Sequence, residues 1–288
     1  MSALKVIDPG LYTSVQDAGR VGYRKFGVPT SGAMDMKAYD LANWLVGNEQ
    51  GGAVLECTIK GGKYKFETNA NIAITGAQMQ PKLNSVDMPM NQTAQVNKGD
   101  ILELGFSKRG CRAYVAIRGK LDIKKVMDSY STYGIGKFGG FEGRALKKGD
   151  SLSWDTPNDE PIIRKAPTEE IPYYSSKLTL TVQKGLEWDW LAVTTQEKFL
   201  NIEFKVSSQS NRMGIRLKGE PLEKLNKEMI SSPVIPGIIQ LPPNGLPIIL
   251  AQDGQTIGGY PRIAKVADNE LWRLGQLKPG DTVSFRVI

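Results

Sequence analysis

The feature that most constrains the fold is a Gly-Asp turn that leads directly into an apolar segment, and this turn occurs three times. Turns of this kind start short strands in antiparallel barrels and sandwiches. Their uneven spacing argues against a solenoid, whose repeats follow at a fixed period. Between them, most of the chain alternates apolar and polar residues over short segments, which is typical of strands. The three turns are Gly99-Asp100, Gly149-Asp150 and Gly280-Asp281.

Few helices are expected. The best helical pattern covers residues 35–46, where Asp35 can cap the start and Gly47 suits the end. Shorter helices are predicted at residues 195–200 and 268–274. Nine segments have the length and alternation of strands, namely 63–67, 71–75, 101–105, 112–117, 178–183, 202–206, 238–241, 247–252 and 282–287.

The segment 155–172 separates two strand-rich parts of the chain. It contains four prolines among charged residues, which exclude a helix or a central strand. We therefore predict a mainly β fold with a few short helices and two domains of ordinary size. The predicted organisation is an N-terminal β-rich domain at residues 1–160, a Pro-rich connector at 161–172 and a C-terminal β-barrel domain at 173–288.

The chain contains no histidine, and this excludes several kinds of catalytic site. Ser-His-Asp and Cys-His catalysis, a histidine general base and histidine zinc sites are all impossible. The two cysteines, Cys57 and Cys111, cannot form a four-thiolate zinc site. Proton transfer must therefore use Asp, Glu, Lys or Tyr, or a water on a metal held by oxygen ligands. The sequence identifies no metal site.

Charge and hydropathy point away from nucleic acid and membrane. The net charge is +7, but the basic residues are scattered among acids, and no basic stretch is interleaved with aromatic residues. No apolar run approaches the roughly 20 residues that a membrane helix needs. The N-terminus lacks the features of a signal peptide, and two cysteines within apolar patterns do not suggest a disulfide framework. We expect a cytoplasmic protein.

Two polar, glycine-rich clusters stand near opposite ends of the chain. In the second, an apolar strand pattern stops abruptly at a turn that carries a carboxylate, amides, a hydroxyl and cations. Glycines there allow close approach of a ligand and leave backbone N–H groups for oxyanions. We predict that both clusters line one site. The first cluster contains Gln16, Asp17, Arg20 and Ser31, and the second contains Asp253, Gln255, Thr256, Tyr260, Arg262 and Lys265.

A G-x-G-x-x-G pattern begins at Gly134 and ends at Gly139. A dinucleotide site needs an apolar strand before this pattern and a helix after it, and neither is present. A flexible glycine-rich loop is the better interpretation, and the candidates to face a ligand there are Ser131, Thr132, Lys137 and Arg144. The sequence contains no G-x-x-x-x-G-K-[ST] motif, so a P-loop does not hold any bound ATP.

With these residues in view, the chain resembles the allophanate hydrolase subunit 2 family. The resemblance extends over nearly the whole chain, in order, and its motifs are long and unusual. Where the family has Gly-Ser-Arg-Ser-Thr, this chain has Asp128-Ser129-Tyr130-Ser131-Thr132. The matching motifs are Val15-Gln16-Asp17-x-Gly19-Arg20, Gly27-Val28-Pro29-x-Ser31-Gly32-Ala33-Met34-Asp35, Leu55-Glu56, Ile74-Thr75-Gly76-Ala77, Ser207-x-x-Ser210-x-Arg212-Met213-Gly214 and Gln255-Thr256-x-Gly258-Gly259-Tyr260-Pro261.

The resemblance implies cyclophilin-like β-barrels, a companion subunit of the subunit 1 type and a hydrolase or carboxyltransferase activity. Our leading hypothesis is a subunit of an ATP-dependent 5-oxoprolinase, which opens 5-oxoproline to glutamate. Asp253 and Asp17 are the expected catalytic carboxylates, and Arg262 and Lys265 the expected phosphate ligands. The residues expected to bind the substrate are Gln16, Arg20, Ser31, Gln255, Thr256 and Tyr260.

Two alternatives remain open at this point. The first is a carboxyltransferase subunit that moves carboxyl from carboxybiotin to urea or a similar small amide. This alternative needs a separate biotin carrier, because the chain has no Met-Lys-Met motif. The second is a non-enzymatic subunit that binds and antagonises a kinase inhibitor.

Overall fold

The computed structural model describes residues 2–157, 160–225, 227 and 229–288. The chain divides into two units. The N-terminal unit contains the residues up to Arg20 and Ser31–Tyr174, and the C-terminal unit contains Val21–Thr30 and Ser175–Ile288. The segment predicted as a connector groups with the N-terminal unit. It is bonded there to the chain near residue 92, because Thr93 N donates to Arg164 O and Ala166 N donates to Asn91 O.

Antiparallel strands build the N-terminal unit in two sheets. The seven-stranded sheet has the order β11-β12-β1-β4-β9-β6-β7, and the five-stranded sheet has the order β2-β3-β10-β5-β8. The strands are β1 (Ser2–Asp8), β2 (Tyr12–Gln16), β3 (Val54–Thr58), β4 (Lys63–Phe66), β5 (Ala70–Gly76), β6 (Lys82–Leu83), β7 (Val86–Asp87), β8 (Thr93–Val96), β9 (Ile101–Glu103), β10 (Arg112–Ile117), β11 (Lys120–Leu121) and β12 (Ser151–Asp155).

The two sheets enclose one apolar core, and strand alternation decides which residues enter it. In β5, Ile72 and Ile74 belong to the core that also contains Leu4 of the other sheet. The residue between them, Ala73, packs instead with the first helix. Small side chains at this second face, including Ala116 of β10, let the helix lie close to the sheet.

The first helix, α1 (Met36–Val46), follows the predicted pattern closely. Asp35 caps it by accepting a hydrogen bond from Ala38 N at 3.1 Å. Gly47 ends it in the left-handed region, with φ 71°, where a side chain would be strained. The Asp35 carboxylate also accepts a hydrogen bond from Tyr174 OH at 2.9 Å. One acid therefore fixes both the start of α1 and the end of the unit.

The C-terminal unit is a closed barrel of seven strands in the order β13-β20-β17-β18-β15-β14-β21, with β21 paired in parallel to β13. Two further strands, β16 and β19, form a separate ribbon. The strands are β13 (Lys177–Lys184), β14 (Phe204–Val206), β15 (Gly214–Lys218), β16 (Ser232–Pro233), β17 (Ile238–Gln240), β18 (Ile248–Leu250), β19 (Ile257–Gly258), β20 (Arg262–Val266) and β21 (Thr282–Val287).

Aromatic side chains pack together within the barrel core. Phe199, on α2 (Val193–Asn201), stacks on Phe285 with ring centroids 4.5 Å apart, and Phe204 packs against both. Such pairs contribute beyond the area that they bury. The described residues also contain four short 3₁₀ helices, at Arg24–Phe26, Thr168–Glu170, Trp188–Trp190 and Asp268–Gln276.

The prediction of a mainly β fold with few helices is confirmed. Each of the nine predicted segments contains a strand, and the three predicted helices occur, although the one at 268–274 is a 3₁₀ helix. Among the described residues, no helix has both the length and the apolar character that a membrane crossing requires.

Replacing Asp35 by Ala should destabilise α1 by about 1 kcal/mol or more, because the cap is lost. Tyr174→Phe removes only the second hydrogen bond and should cost less. Amide hydrogen exchange of α1, resolved by mass spectrometry, measures both effects. Asp40→Asn changes an exposed carboxylate of the same helix and serves as the control. Equal exchange in Asp35→Ala and the wild type would contradict this account.

Candidate functional site

The first polar cluster is organised by the carboxylate of Asp17, which lies just after β2 and is 4% exposed. Its Oδ1 accepts hydrogen bonds from Ser129 Oγ at 2.7 Å, from Gly19 N at 2.8 Å and from Ser131 Oγ. Its Oδ2 accepts one from Tyr130 N at 2.6 Å. Four donors therefore surround this carboxylate, and three of them belong to a distant loop at residues 126–143, here called the 126–143 loop.

Arg20 holds the same loop from within the protein. Its side chain is completely buried, and it donates from Nε to Val126 O at 3.5 Å and from Nη2 to Ser131 O. Its guanidinium carbon lies 5.1 Å from the centroid of the Phe138 ring, which is a cation–π contact. Gly139 is required beside it, because a Cβ there would lie 2.6 Å from Arg20 Nη2.

These contacts hold the 126–143 loop in an unfavourable backbone conformation. Met127, Asp128, Lys137 and Glu142 all have φ between 53° and 59°, a region that residues with side chains seldom adopt. Such strain persists only where the surroundings enforce it, and it concentrates at functional sites. The Asp17 and Arg20 contacts supply that enforcement.

Most of the G-x-G-x-x-G pattern lies at the tip of this loop, between Tyr133 and Phe138, which form a β-bridge. The structure therefore agrees with the interpretation that it is not a dinucleotide fingerprint. Of the residues expected to face a ligand there, Lys137 is exposed, whereas Ser131 and Thr132 are buried. Arg144 is bound to Asp150, with 2.7 Å between Nη1 and Oδ2.

Ser31 and Gln16 complete the first cluster. Ser31 is 1% exposed, and its Oγ has no hydrogen-bond partner. Its φ of 53° is again in the left-handed region. Gln16 is fully buried and donates from Nε2 to Ser14 Oγ at 2.9 Å. A buried hydroxyl without a partner is costly, so Ser31 is the residue of this cluster best placed to bond a ligand.

Glu56 lies in an apolar strand and is fully buried. It accepts hydrogen bonds from Met34 N at 2.8 Å and from Tyr114 OH at 2.9 Å, and Arg112 Nε lies 3.5 Å from its other oxygen. Burial, together with the neighbouring Glu56 charge, raises the pKa of Tyr114 well above its usual range. The phenol therefore remains protonated and donates, which is a structural role for this group.

Asp253, in the second cluster, forms a bidentate ion pair with Arg212, a residue without a predicted role. Arg212 Nε donates to Oδ2 at 2.8 Å, and Arg212 Nη2 donates to Oδ1 at 3.0 Å. Both side chains are 7% exposed. This bidentate geometry gives strong, directional hydrogen bonds. Both carboxylate oxygens of Asp253 are thus already engaged.

The expected phosphate ligands also have carboxylate partners. Arg262 donates from Nε and Nη2 to Glu187 at 2.9 and 2.7 Å, and Lys265 Nζ lies 2.6 Å from Asp268 Oδ1. The hydrogen bonds from Arg262 lower the pKa of Glu187 and raise that of Arg262 itself. Each cation therefore already faces a carboxylate, and the role of these two residues as phosphate ligands stays a prediction.

Of the remaining residues of the second cluster, Gln255 forms a hydrogen-bonded amide pair with Gln240. Gln255 Nε2 donates to Gln240 Oε1, and Gln240 Nε2 donates to Tyr260 O, both at 3.2 Å. Thr256 O accepts from Val234 N at 3.0 Å. Tyr260 is 44% exposed. It borders a cavity of about 270 Å³, which is otherwise lined by Leu225, Lys227, Met229, Leu241, Pro242, Pro243, Gly259 and Pro261.

The two clusters belong to different units, and their convergence on one site stays a prediction. Arg212 and Glu187, which pair with Asp253 and Arg262, were not predicted from the sequence. A signal existed, because an acid or a cation at a buried strand end requires an opposite charge. Among the described residues, no group of three or more Cys, Asp or Glu is placed to hold a metal ion.

Comparison with known proteins gives consistent matches. The family model for the carboxyltransferase domain, subdomain A and B, matches residues 26–287. The C subunit of the Escherichia coli 5-oxoprolinase is 36% identical over 288 residues, which cover 98% of this chain and 90% of that protein.

Larger proteins contain a similar region. The urea amidolyase of Lachancea kluyveri is 36% identical over 306 residues, but the match covers 98% of this chain and only 17% of that protein. The crystal structure of the Kluyveromyces lactis urea carboxylase superposes with a TM-score of 0.94 at 36% identity. It covers 99% of this chain and 27% of the urea carboxylase chain.

Removing the Asp17 carboxylate should release the 126–143 loop. We expect trypsin to cleave after Lys137 roughly tenfold faster or more in Asp17→Ala, because each hydrogen bond to a charged group contributes about 1.5–3 kcal/mol. Asp17→Asn, which keeps the shape, should have a smaller effect. Asp122→Asn alters an exposed acid of the same unit and is the control. An unchanged cleavage rate in Asp17→Ala would show that other contacts hold the loop.

The Glu187–Arg262 pair should make the stability of the C-terminal unit depend on pH. Because the folded-state pKa of Glu187 is lowered, its contribution is present above its unfolded pKa of about 4.5 and is lost as the pH falls through the folded value. Between pH 5 and pH 3, the wild type should lose more stability than Glu187→Gln. Hydrogen exchange of β20 measures this loss, with the exposed Glu220→Gln as the control. Parallel pH curves would contradict the assignment.

Proposed function

We propose that the chain, which belongs to the family of carboxyltransferase domains with subdomains A and B, is a subunit of a 5-oxoprolinase-type hydrolase. The observation that carries the proposal is the match to the C subunit of a 5-oxoprolinase over 98% of this chain and 90% of that protein. Because that relative is named as one subunit of its enzyme, it supports a hetero-oligomer, in which a companion of the subunit 1 type is the expected partner.

The proposed reaction opens the lactam ring of 5-oxoproline to glutamate in an ATP-dependent step. Water attacks an unstrained amide slowly, because the leaving groups at its carbon are poor. ATP supplies, when bound, a phosphoryl group that makes the lactam oxygen a good leaving group. The protein must then bind the substrate carboxylate, hydrogen-bond the lactam amide and place a water. We assign no ATP contact to this chain, since Arg262 and Lys265 already face carboxylates.

The residues that we propose for substrate binding have a polar atom without a hydrogen-bond partner, have an exposed side chain, or lie in the same turn as such a residue. The Ser31 hydroxyl is buried without a partner, and the Tyr260 ring is exposed beside a cavity. Gln255 and Thr256 lie in the same turn as Tyr260. Gln16, whose amide is bonded within the N-terminal unit, supports the shape of the first cluster.

The contacts of Asp17, Asp253 and Arg20 favour positioning over catalysis. A general base needs a lone pair directed at its proton, within about 3 Å. The carboxylates of Asp17 and Asp253 direct theirs at donors of the protein itself. We therefore propose that each of the two acids acts by fixing the turns of its own unit, and that the carboxylate which places the water belongs to another residue or subunit.

The proposal predicts that glutamate is released from 5-oxoproline only when the chain, the companion subunits and ATP are all present. Asp253→Asn and Arg20→Ala should each lower kcat by tenfold or more, because they loosen the loops that hold the substrate. Coupled detection of glutamate measures the rate. The exposed Arg216→Ala is the control and should leave the rate unchanged. If both loop variants kept the full rate, these clusters would not belong to the site.

A carboxyltransferase is the second candidate, and the family match and the urea carboxylase fold favour it specifically. In that case the chain would accept carboxyl from carboxybiotin on a separate carrier and pass it to urea or a similar amide. The same reconstitution separates the two candidates. Urea-dependent loss of carboxyl from a carboxylated carrier, without glutamate release from 5-oxoproline, would replace the hydrolase proposal by this one.

A further inference from the structure

The polar turns of the C-terminal unit are contacted by Arg24, Arg212 and Arg262, which differ in how their charge is balanced. Arg212 is paired with Asp253, and Arg262 is paired with Glu187. The third, Arg24, lies in the 3₁₀ helix Arg24–Phe26, within the segment Val21–Thr30 that belongs to this unit. Among the described residues, no carboxylate lies within ion-pair distance of Arg24.

The contacts of Arg24 leave part of its guanidinium unused. Nη2 donates to Val234 O and, at 3.4 Å, to Gln255 O. Nη1 is buried and has no hydrogen-bond partner. Ser232 Oγ, on the ribbon strand β16 just before Val234, is likewise buried without a partner. Two unsatisfied polar groups therefore lie near one turn of the chain.

An unpaired, partly buried guanidinium is costly. Burial removes water from the charge, and hydrogen bonds from Nη2 to two neutral carbonyls do not replace that water. Desolvation lowers the pKa of Arg24, in contrast to Arg262, whose pKa the Glu187 carboxylate raises. Groups perturbed in this way concentrate at functional sites, where a ligand can supply the missing charge. A structural arginine in this position would be expected to have an acid beside it, as its two neighbours have.

We propose that Arg24 is an oxyanion-binding residue. Its Nη1, together with the Ser232 hydroxyl, binds a carboxylate or phosphate oxygen of a small molecule beside the turn at residues 255–260. Gly258 permits this turn to lie against the barrel, because a Cβ there would be 2.6 Å from Gln240 Nε2. Naming the oxyanion as the carboxylate of 5-oxoproline rests on the proposed function, whereas the oxyanion site itself does not.

Isothermal titration of the purified full chain tests the proposal with three probes: 5-oxoproline, inorganic phosphate and 2-pyrrolidone, the neutral ring without a carboxylate. The wild type should bind at least one of the two anions, and Arg24→Gln should weaken that binding roughly 10- to 100-fold, as expected for a charged hydrogen bond. Arg24→Lys keeps the charge but loses the planar pair of donor nitrogens, so its anion affinity should lie between that of the wild type and that of Arg24→Gln. Arg216→Gln, an exposed arginine of the same unit, should bind like the wild type.

Each outcome decides a separate point. Binding of 5-oxoproline but not 2-pyrrolidone identifies a carboxylate site, and binding of phosphate alone identifies a phosphate site. Equal anion affinity in Arg24→Gln and the wild type, or no anion binding by the wild type, overturns the inference. Melting curves confirm that each variant is folded. If Arg24 binds an anion while the reconstituted complex releases no glutamate, the proposed function fails and this inference stands.

Discussion

Buried arginines that bind the turns of the two β units determine the shape of the polar clusters. A β scaffold fixes its strands through ladders of backbone hydrogen bonds, whereas the turns that leave it have fewer such bonds and rely more on side chains. Here Arg20 binds carbonyls of the 126–143 loop, and Arg212 binds the carboxylate of Asp253. Because a guanidinium presents several donors in one rigid plane, a single side chain fixes a turn in several places.

The strained loop of the N-terminal unit depends directly on this arrangement. Left-handed backbone at residues such as Met127 and Lys137 is unfavourable in isolation. The hydrogen bonds that Asp17 accepts from Ser129, Ser131 and Tyr130 offset that cost. A loop held in this way presents its tip in one conformation before any ligand arrives, which lowers the entropy that binding must overcome.

The sequence predicted the strands and helices well, because alternation, capping residues and Gly-Asp turns are local signals. Asp35 and Gly47 bound the first helix as expected, and the resemblance to the family is confirmed. The partners of the site residues were not predictable in the same way. Glu187 precedes Arg262 by 75 residues, and Asp17 meets Ser129 over 112 residues. Only the fold decides which charges meet, so a free carboxylate and a fully bonded one look alike in sequence.

The balance of charge within each cluster separates groups that already have partners from groups that have polar atoms without one. An acid such as Asp253, already paired with Arg212, would have to break a bidentate contact before it could take a proton from water. That step would leave a buried arginine uncompensated, and the cost would be added to the barrier of the reaction. The Arg24 guanidinium and the Ser31 hydroxyl carry no such cost, because bonding a ligand satisfies a group that the protein leaves unpaired. Bonding a ligand is therefore least costly at these groups, whereas Asp17 and Asp253 already hold turns of their own units in place.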